Sequence, residues 1–380
     1  MVVTIINQHA NNFGDEAACL ALLFRLIEKD NVEEINLIYI GAGEIHFNHH
    51  KLNHNRDINV KSIGKIQIIV RILASSIGIV FRGNKFLDSY LKIVEKSDLI
   101  FVSPAGADLG IYKCWAALSN LYLVNSCGKN VIFHLNTVGS SGNWLFDKMA
   151  LYILRKSKIY VREKTSQRYL KDNKIKSIFG VDSAFLLPKG NVRKRKDLII
   201  FIPTQLAAWN HQFRKTDIEE KVYLNVVCAV FDFATENNLG VELLPHTGTE
   251  DELAYYKEII KRYGEREDIF IANEINDAMD YQNEICNCAF VVSMRYHGVV
   301  ISAKNQVPFI SVSYENKMNE VCSYVGMLAQ NIDVKKVNYK ELMWLMIKTY
   351  SNLDSIKEEL SKSCLLIIDS AERPLVDNVE

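Results

Sequence analysis

Ala289-Phe-Val-Val-Ser-Met-Arg295-Tyr-His297-Gly298-Val-Val-Ile-Ser-Ala303 is the stretch of this 380-residue chain that decides its fold class. The apolar run Ala289–Ser293 has the length of a strand buried on both faces. Small and apolar residues resume at Gly298, with nothing to break a helix. A strand that enters a helix through a polar turn is half of a βαβ unit, the building block of parallel sheets. In an extended segment, residues two apart face the same side. Arg295 and His297 are therefore expected to project together into a cleft at the helix start. Arginine supplies a fixed charge there, and histidine is the side chain that exchanges a proton near neutrality. A histidine satisfied inside the core is the alternative reading of His297.

The same alternation runs outward in both directions. Strands are expected at Val2–Asn7, Ile35–Ile40, Asp98–Ser103, Val131–Leu135 and Lys158–Arg162. After a break they resume at Leu198–Ile202, Gly240–Leu244, Asp268–Ala272, Ala289–Ser293 and Pro308–Val312. Helical patterns lie between them at Asp15–Lys29, Trp144–Arg155, Ser166–Asn173, Asp217–Asn237, Asp251–Tyr263 and Asn276–Cys286. Pro104, Pro188, Pro203 and Pro245 mark carboxyl ends of strands, because proline fits poorly inside a ladder. Open α/β sheets bind their ligands at that edge. The polar, basic stretch Pro188–Asp197 reads as a linker between two Rossmann-like α/β domains, 1–190 and 197–338. Residues 339–380 read as helices that cap the second domain or return to the first.

Composition agrees with a globular, two-domain chain. Formal net charge is +0, 48% of residues are hydrophobic and 24% are charged, which excludes a disordered, collagen-like or rod-like protein. Charge balance argues against nucleic acid as a partner, since phosphate binding usually leaves a basic excess. No uninterrupted apolar run reaches about 18 residues, so no spanning helix is expected, and MVVTIINQHA lacks the basic region of a secretory signal. The eight scattered cysteines read as free, buried thiols of a reducing compartment, and the expected location is cytoplasmic. Residues 58–87 carry Lys61, Lys65, Arg71, Arg82 and Lys85 without an acid. Their apolar residues recur at near-helical spacing, the pattern of an interfacial helix at the inner face of a membrane or of a helix packed on the sheet. His46, His49, His50 and His54 offer metal-compatible pairs if helical. Their asparagine neighbours favour a loop, and no metal is expected.

Three further segments follow expected strands. Asn12-Phe-Gly14-Asp15-Glu16 opens a helix, where amides can hold an anion or a sugar hydroxyl; Asp15 and Glu16 equally suit the helix dipole. Gly106 and Asp108 lie in a small-residue loop that lets a ligand approach the backbone. Arg162 stands at a strand edge beside a helix start, placed for a carboxylate or phosphate or for a surface ion pair.

Taken in order, these segments resemble the polysaccharide pyruvyl transferase family. Asn12-Phe-Gly14-Asp15-Glu16-Ala17 resembles its N-x-G-D-E-A start. Val161-Arg162-Glu163-Lys164-Thr165-Ser166 resembles its v-R-[DE]-x-x-S motif, and Val181-Asp182-Ser183-Ala184-Phe185 its D-x-A-F strand. Ser293-Met-Arg295-Tyr-His297 resembles S-x-R-x-H, followed by Val307-Pro308-Phe309 and Tyr314-Glu-Asn-Lys317 for g-x-P and Y-x-x-K. One departure is Ser103-Pro-Ala-Gly106-Ala-Asp108, which has lost part of a glycine run on the acceptor side. The resemblance implies a GT-B-like pair of Rossmann-like domains with the active site in the interdomain cleft. It implies no cofactor, with phosphoenolpyruvate as the donor substrate. The implied acceptor is a sugar of a polysaccharide or lipid-linked glycan precursor, and the product a pyruvate ketal. Arg162, Arg295 and Lys317 would bind the donor, with His297 as general acid. Gly14, Asp15, Gly106 and Asp108 would serve the acceptor. A nucleotide-sugar glycosyltransferase of the same architecture and a non-catalytic glycan-binding protein are the competing readings.

Overall fold

Thirteen strands are found among the described residues, and the ladders between them are all parallel. The computed structural model describes residues 1–379 apart from 11, 41–42, 57–69, 71–73, 75–84, 105, 192–194, 210–212 and 215. The interfacial helix expected over 58–87 falls almost wholly outside the described residues.

The chain folds as two compact units. The first comprises Met1–Asn11, Asp15–Leu187 and Ile368–Glu380; the second comprises Asn12–Gly14 and Pro188–Ile367. In the first unit the strands are β1 (Val2–Gln8), β2 (Glu34–Tyr39), β3 (Leu52–Asn55), β4 (Leu99–Val102), β5 (Ile132–Asn136), β6 (Lys158–Val161) and β7 (Ile178–Phe179). They are arranged β3-β2-β1-β4-β5-β6-β7. Its helices are α1 (Phe13–Ile27), α2 (Lys85–Lys96), α3 (Trp115–Ser126), α4 (Trp144–Leu154) and α5 (Lys164–Asp172). The second unit holds β8 (Leu198–Ile202), β9 (Gly240–Leu243), β10 (Ile269–Ile271), β11 (Phe290–Ser293), β12 (Phe309–Ser313) and β13 (Asn331–Asp333), in the order β10-β9-β8-β11-β12-β13. A helical stretch over 218–236, here α6, contains a wide turn at Tyr223–Val227. It is followed by α7 (Glu250–Tyr263), α8 (Ala278–Cys286), α9 (Tyr296–Lys304), α10 (Asn316–Tyr324), α11 (Tyr339–Tyr350) and α12 (Leu353–Val379).

Each unit repeats the doubly wound order 3-2-1-4-5-6, with one further strand on the first. This order reverses beside β1 in one sheet and beside β8 in the other, creating a crevice at the carboxyl ends of β1/β4 and β8/β11. Central strands are apolar because helices cover both of their faces. All five residues of β8, Leu-Ile-Ile-Phe-Ile, are buried, and Phe201 packs edge-on against Phe231 of α6.

Several expectations change. Val181–Phe185 is not a strand. Asp182 caps a single 3₁₀ turn over Ser183–Leu186, its carboxylate accepting the Ala184 N–H at 2.8 Å. Pro188 therefore follows a turn rather than a strand end. Leu52–Asn55, expected as loop, forms an edge strand. Its His54 Nδ1 lies 2.7 Å from the Tyr39 hydroxyl and its Nε2 2.8 Å from the Phe47 carbonyl. Among the described residues, no three His, Cys, Asp or Glu side chains gather as a metal site. The final helices also divide: the end of α12 belongs to the first unit, where Asp377 accepts from the Tyr160 hydroxyl at 2.7 Å. Cys19, Cys286 and Cys322 are buried and the other five cysteines partly so. No described helix is long and apolar enough to cross a membrane.

Candidate functional site

In the second unit the site begins with Ser293, the last residue of β11. Its hydroxyl accepts the Arg295 N–H at 3.0 Å and donates to the Arg295 carbonyl at 2.9 Å. That double bond folds the turn and leaves Arg295 extended at the N-cap of α9. The helix starts at Tyr296, two residues earlier than an extended Arg295–His297 segment requires. His297 therefore sits in the first helical turn, and the expected strand-like pairing of the two side chains is corrected. Gly298 packs against Ser293: a Cβ there would collide with Ser293 Oγ and stand 2.8 Å from Ile202 Cδ1. The glycine thus permits α9 to start directly above β8 and β11.

Arg295 and His297 are each 5% exposed. The Arg295 guanidinium lies 3.4 Å from Glu252 Oε1. Glu252, on α7, accepts through Oε2 the backbone N–H groups of His246, Thr247 and Gly248 at 3.0, 2.7 and 3.0 Å, and the Thr247 hydroxyl at 2.8 Å. One buried carboxylate thereby fixes the turn after β9 and anchors the arginine. His246 comes from that turn. Its ring lies nearly parallel to that of His297 and its Nδ1 is 3.3 Å from the Tyr281 hydroxyl. Burial first, then the charges of Arg295, His297 and Lys317, hold His246 well below the usual histidine range. Lys317, on α10, pairs with Glu315 at 2.7 Å and lies 5.5 Å from the centre of the Tyr296 ring.

Residues Asn12–Gly14 belong to this unit. The Phe13 N–H donates to the His246 carbonyl at 3.1 Å, and its ring stacks on Tyr281 with centroids 5.8 Å apart. A Cβ on Gly14 would run into the His297 ring. Gly14, expected among acceptor residues, is therefore the position that gives His297 its room.

The first unit gathers its polar residues beside β1 and β4. His9, just past β1, lies with Nε2 2.9 Å from Asp108 Oδ2. The Asp108 N–H donates to the Gly106 carbonyl at 2.9 Å, while a Cβ on Gly106 would stand 2.8 Å from the Tyr112 ring. Asp15 lies in the first turn of α1. Arg162 directly follows β6 but is not at an open edge. It is 2% exposed, with Nη1 2.5 Å from Asp182 Oδ2 and Nε 3.3 Å from Thr137 Oγ1. Thr137 in turn donates to Glu163 at 2.5 Å, and Ser166 Oγ accepts the Val138 N–H at 2.9 Å. Arg162, Glu163 and Ser166 thus hold the loop after β5 and the turn at Asp182.

A model of the polysaccharide pyruvyl transferase family matches residues 12–316. The chain belongs to that family. Its matched span runs from the Asn12 turn to the start of α10 and includes Arg162, Asp182, His246, Arg295 and His297. None of the curated proteins compared matches the chain. Similar solved structures carry the same fold at low identity. A putative UDP-N-acetylglucosamine 2-epimerase from Listeria monocytogenes is 11% identical with a TM-score of 0.63, covering 95% of this chain and 90% of its own. The Anabaena protein HepE, in complex with UDP and glucose, is 10% identical with a TM-score of 0.61, covering 99% and 98%. The trehalose-6-phosphate synthase OtsA is 7% identical with a TM-score of 0.59, covering 100% and 99%. These likenesses place this family member in the GT-B-like class of paired Rossmann-like domains.

Sequence reading missed His246, Glu252 and His9. Pro245 was a usable signal for the first of these, because a residue just beyond a strand end lies at the ligand-binding edge. Glu252 reads from sequence only as a first-turn helical acid.

Proposed function

We propose that this protein transfers pyruvate from phosphoenolpyruvate to two hydroxyls of a sugar, in a polysaccharide or a lipid-linked glycan precursor, and releases inorganic phosphate. The observation that carries this reading is the cluster of Arg295, Lys317 and His297 around His246, which burial and these neighbours hold well below the usual histidine range. Phosphoenolpyruvate bears a carboxylate and a phosphate, and Arg295 with Lys317 supplies one cation for each. His297 protonates the methylene carbon, leaving an oxocarbenium-like centre at the carbon that carries the carboxylate. One sugar hydroxyl adds there. Phosphate then departs with its bridging oxygen, and the second hydroxyl closes the ketal. Of the two hydroxyl protons, one replaces that taken from His297 and the other leaves with phosphate.

On the acceptor side, the His9–Asp108 pair is a histidine oriented by a carboxylate, suited to receive a hydroxyl proton. Asp15 and the Gly106 loop are the remaining acceptor contacts in this reading. Arg162 keeps its place as a donor contact only by way of the loop it holds. A nucleotide-sugar donor is the second reading, favoured by the UDP named for HepE.

The deciding experiment incubates the protein with phosphoenolpyruvate and a panel of hexose acceptors, measures phosphate release and weighs the products. A mass gain of one pyruvate ketal supports the first reading. Turnover of a UDP-sugar without phosphoenolpyruvate overturns it.

A further inference from the structure

A groove of about 1170 Å³ runs along the first unit between α5 and the edge strand β7. Lys158, Lys164, Arg168, Lys171, Lys174 and Lys176 line it, and all six are exposed. Lys164, Arg168 and Lys171 fall at i, i+4 and i+7, which is one face of a helix. Lys174 and Lys176 lie two apart on the segment leading into β7 and line the groove together with Ile178 and Phe179. No carboxylate lines the groove, and Arg168, Lys171, Lys174 and Lys176 pair with no acid among the described residues. The chain as a whole is neutral, so this concentration of charge is local. Six cations spread along a channel suit a ligand with repeated negative charges, since a single exposed pair contributes little while a series adds up.

We infer that this groove holds a linear acidic polysaccharide, a glycan chain that already bears carboxylates. The choice of glycan rests on the family reading and on the reaction proposed above, which adds one carboxylate to each sugar it modifies. The groove is concave and has apolar residues in its lining, which fits a chain better than a flat lipid surface. Phe179 is the one aromatic ring among the described residues that line it, which is too little for the base stacking that single-stranded nucleic acid uses. A charged product chain retained here would keep its next repeat close to the enzyme, raising its effective concentration.

The test measures binding of a fluorescently labelled polyuronate by anisotropy, without donor present, to the full chain and to Arg168→Glu/Lys171→Glu. Both substituted residues are exposed, and unchanged circular dichroism and melting temperature confirm the fold of the variant. Polyuronate is expected to bind the unmodified chain and to be weakened by salt. The double variant is expected to bind it more weakly by roughly an order of magnitude. A neutral dextran of equal length is expected to show no binding. Equal binding of polyuronate by the variant overturns the assignment. So does tighter binding of a single-stranded oligonucleotide, or of phosphatidylcholine vesicles containing phosphatidylglycerol, than of polyuronate. Because no turnover is read, loss of groove binding and failure of the phosphoenolpyruvate reaction are separate results.

Discussion

The rings of His246 and His297 lie 6.1 Å apart, centroid to centroid, with planes inclined by only 18°. Burial and the charges around it hold His246 well below the usual histidine range, and His297 stands beside it in the same buried site. His297→Asn is expected to keep phosphoenolpyruvate affinity within about threefold, because asparagine retains one hydrogen bond. Its turnover is expected to fall by roughly two to four orders of magnitude. His246→Gln is expected to lower turnover without altering the shape of the pH–rate profile, since a group that stays neutral adds no titration. Calorimetric donor titration beside steady-state kinetics checks both. Normal turnover by His297→Asn removes it from the proton-donor role.

Gly14→Ala puts a methyl group where the His297 ring stands. We expect turnover to drop about tenfold or more, as small displacements of a catalytic group do, and unfolding free energy to fall by about 1–3 kcal/mol, the usual cost of overpacking a buried site. Gly139→Ala, a position with open space around its Cβ, is the control. Equal kinetics in the two variants would show that His297 needs no such clearance.

Arg162 and Asp182 form a buried ion pair whose partners are 2% and 0% exposed. An arginine at a strand edge, read from sequence alone, suggests that Arg162→Ala leaves the fold intact; burial reverses that expectation. Removing the arginine strands a buried carboxylate and is expected to cost about 3–5 kcal/mol. Arg162→Met with Asp182→Asn is expected to recover much of the loss. Urea denaturation followed by circular dichroism measures both, and an unchanged midpoint for Arg162→Ala would refute a structural role.

Glu242, on β9, is 5% exposed. Burial and the neighbouring Glu284 push its carboxyl from 4.5 up to about 7. A raised acid pKa means that the folded state holds the proton more tightly than the unfolded state. This contribution is whole below about pH 4.5, declines as pH rises towards 7, and is absent above it. The shift corresponds to roughly 3 kcal/mol. Glu242→Gln is therefore expected to be more stable than the unmodified protein at pH 8 and about equal to it at pH 4.5. Denaturation series across that interval decide the point, and parallel stability curves for the two proteins would contradict it.

The central strands were readable because each is a short apolar run closed by a turn. All ten strands expected from the apolar runs correspond to observed ones, whereas Val181–Phe185, expected as a strand from the resemblance, is a 3₁₀ turn. Those missed, β3, β7 and β13, lie at sheet edges, where one side lacks a partner and the pattern weakens to Leu-Asn-His-Asn, Ile-Phe and Asn-Ile-Asp. Helices α2, α3 and α10 were also missed. In α3 the buried positions run continuously from Ala116 to Val124, which erases the helical period. Arg295 and His297 were legible because they are neighbours in sequence. His246 joins them only through the order β9-β8-β11, and His9 meets Asp108 only because β1 lies beside β4. Such pairings depend on strand order, and a single stretch of sequence does not encode them.

The four sheet edges found among the described residues have one further consequence. Strands β3, β7, β10 and β13 contain four, two, three and three residues. An open edge strand is a template on which another polypeptide can add backbone hydrogen bonds, and length makes it dangerous. Here the inner strands carry the pairing, and each edge ends after a residue or two of free ladder. Lysines stand just before β7, so an approaching strand would also meet charge. The fold thus withholds from its neighbours in a concentrated solution the surface from which cross-β aggregates grow.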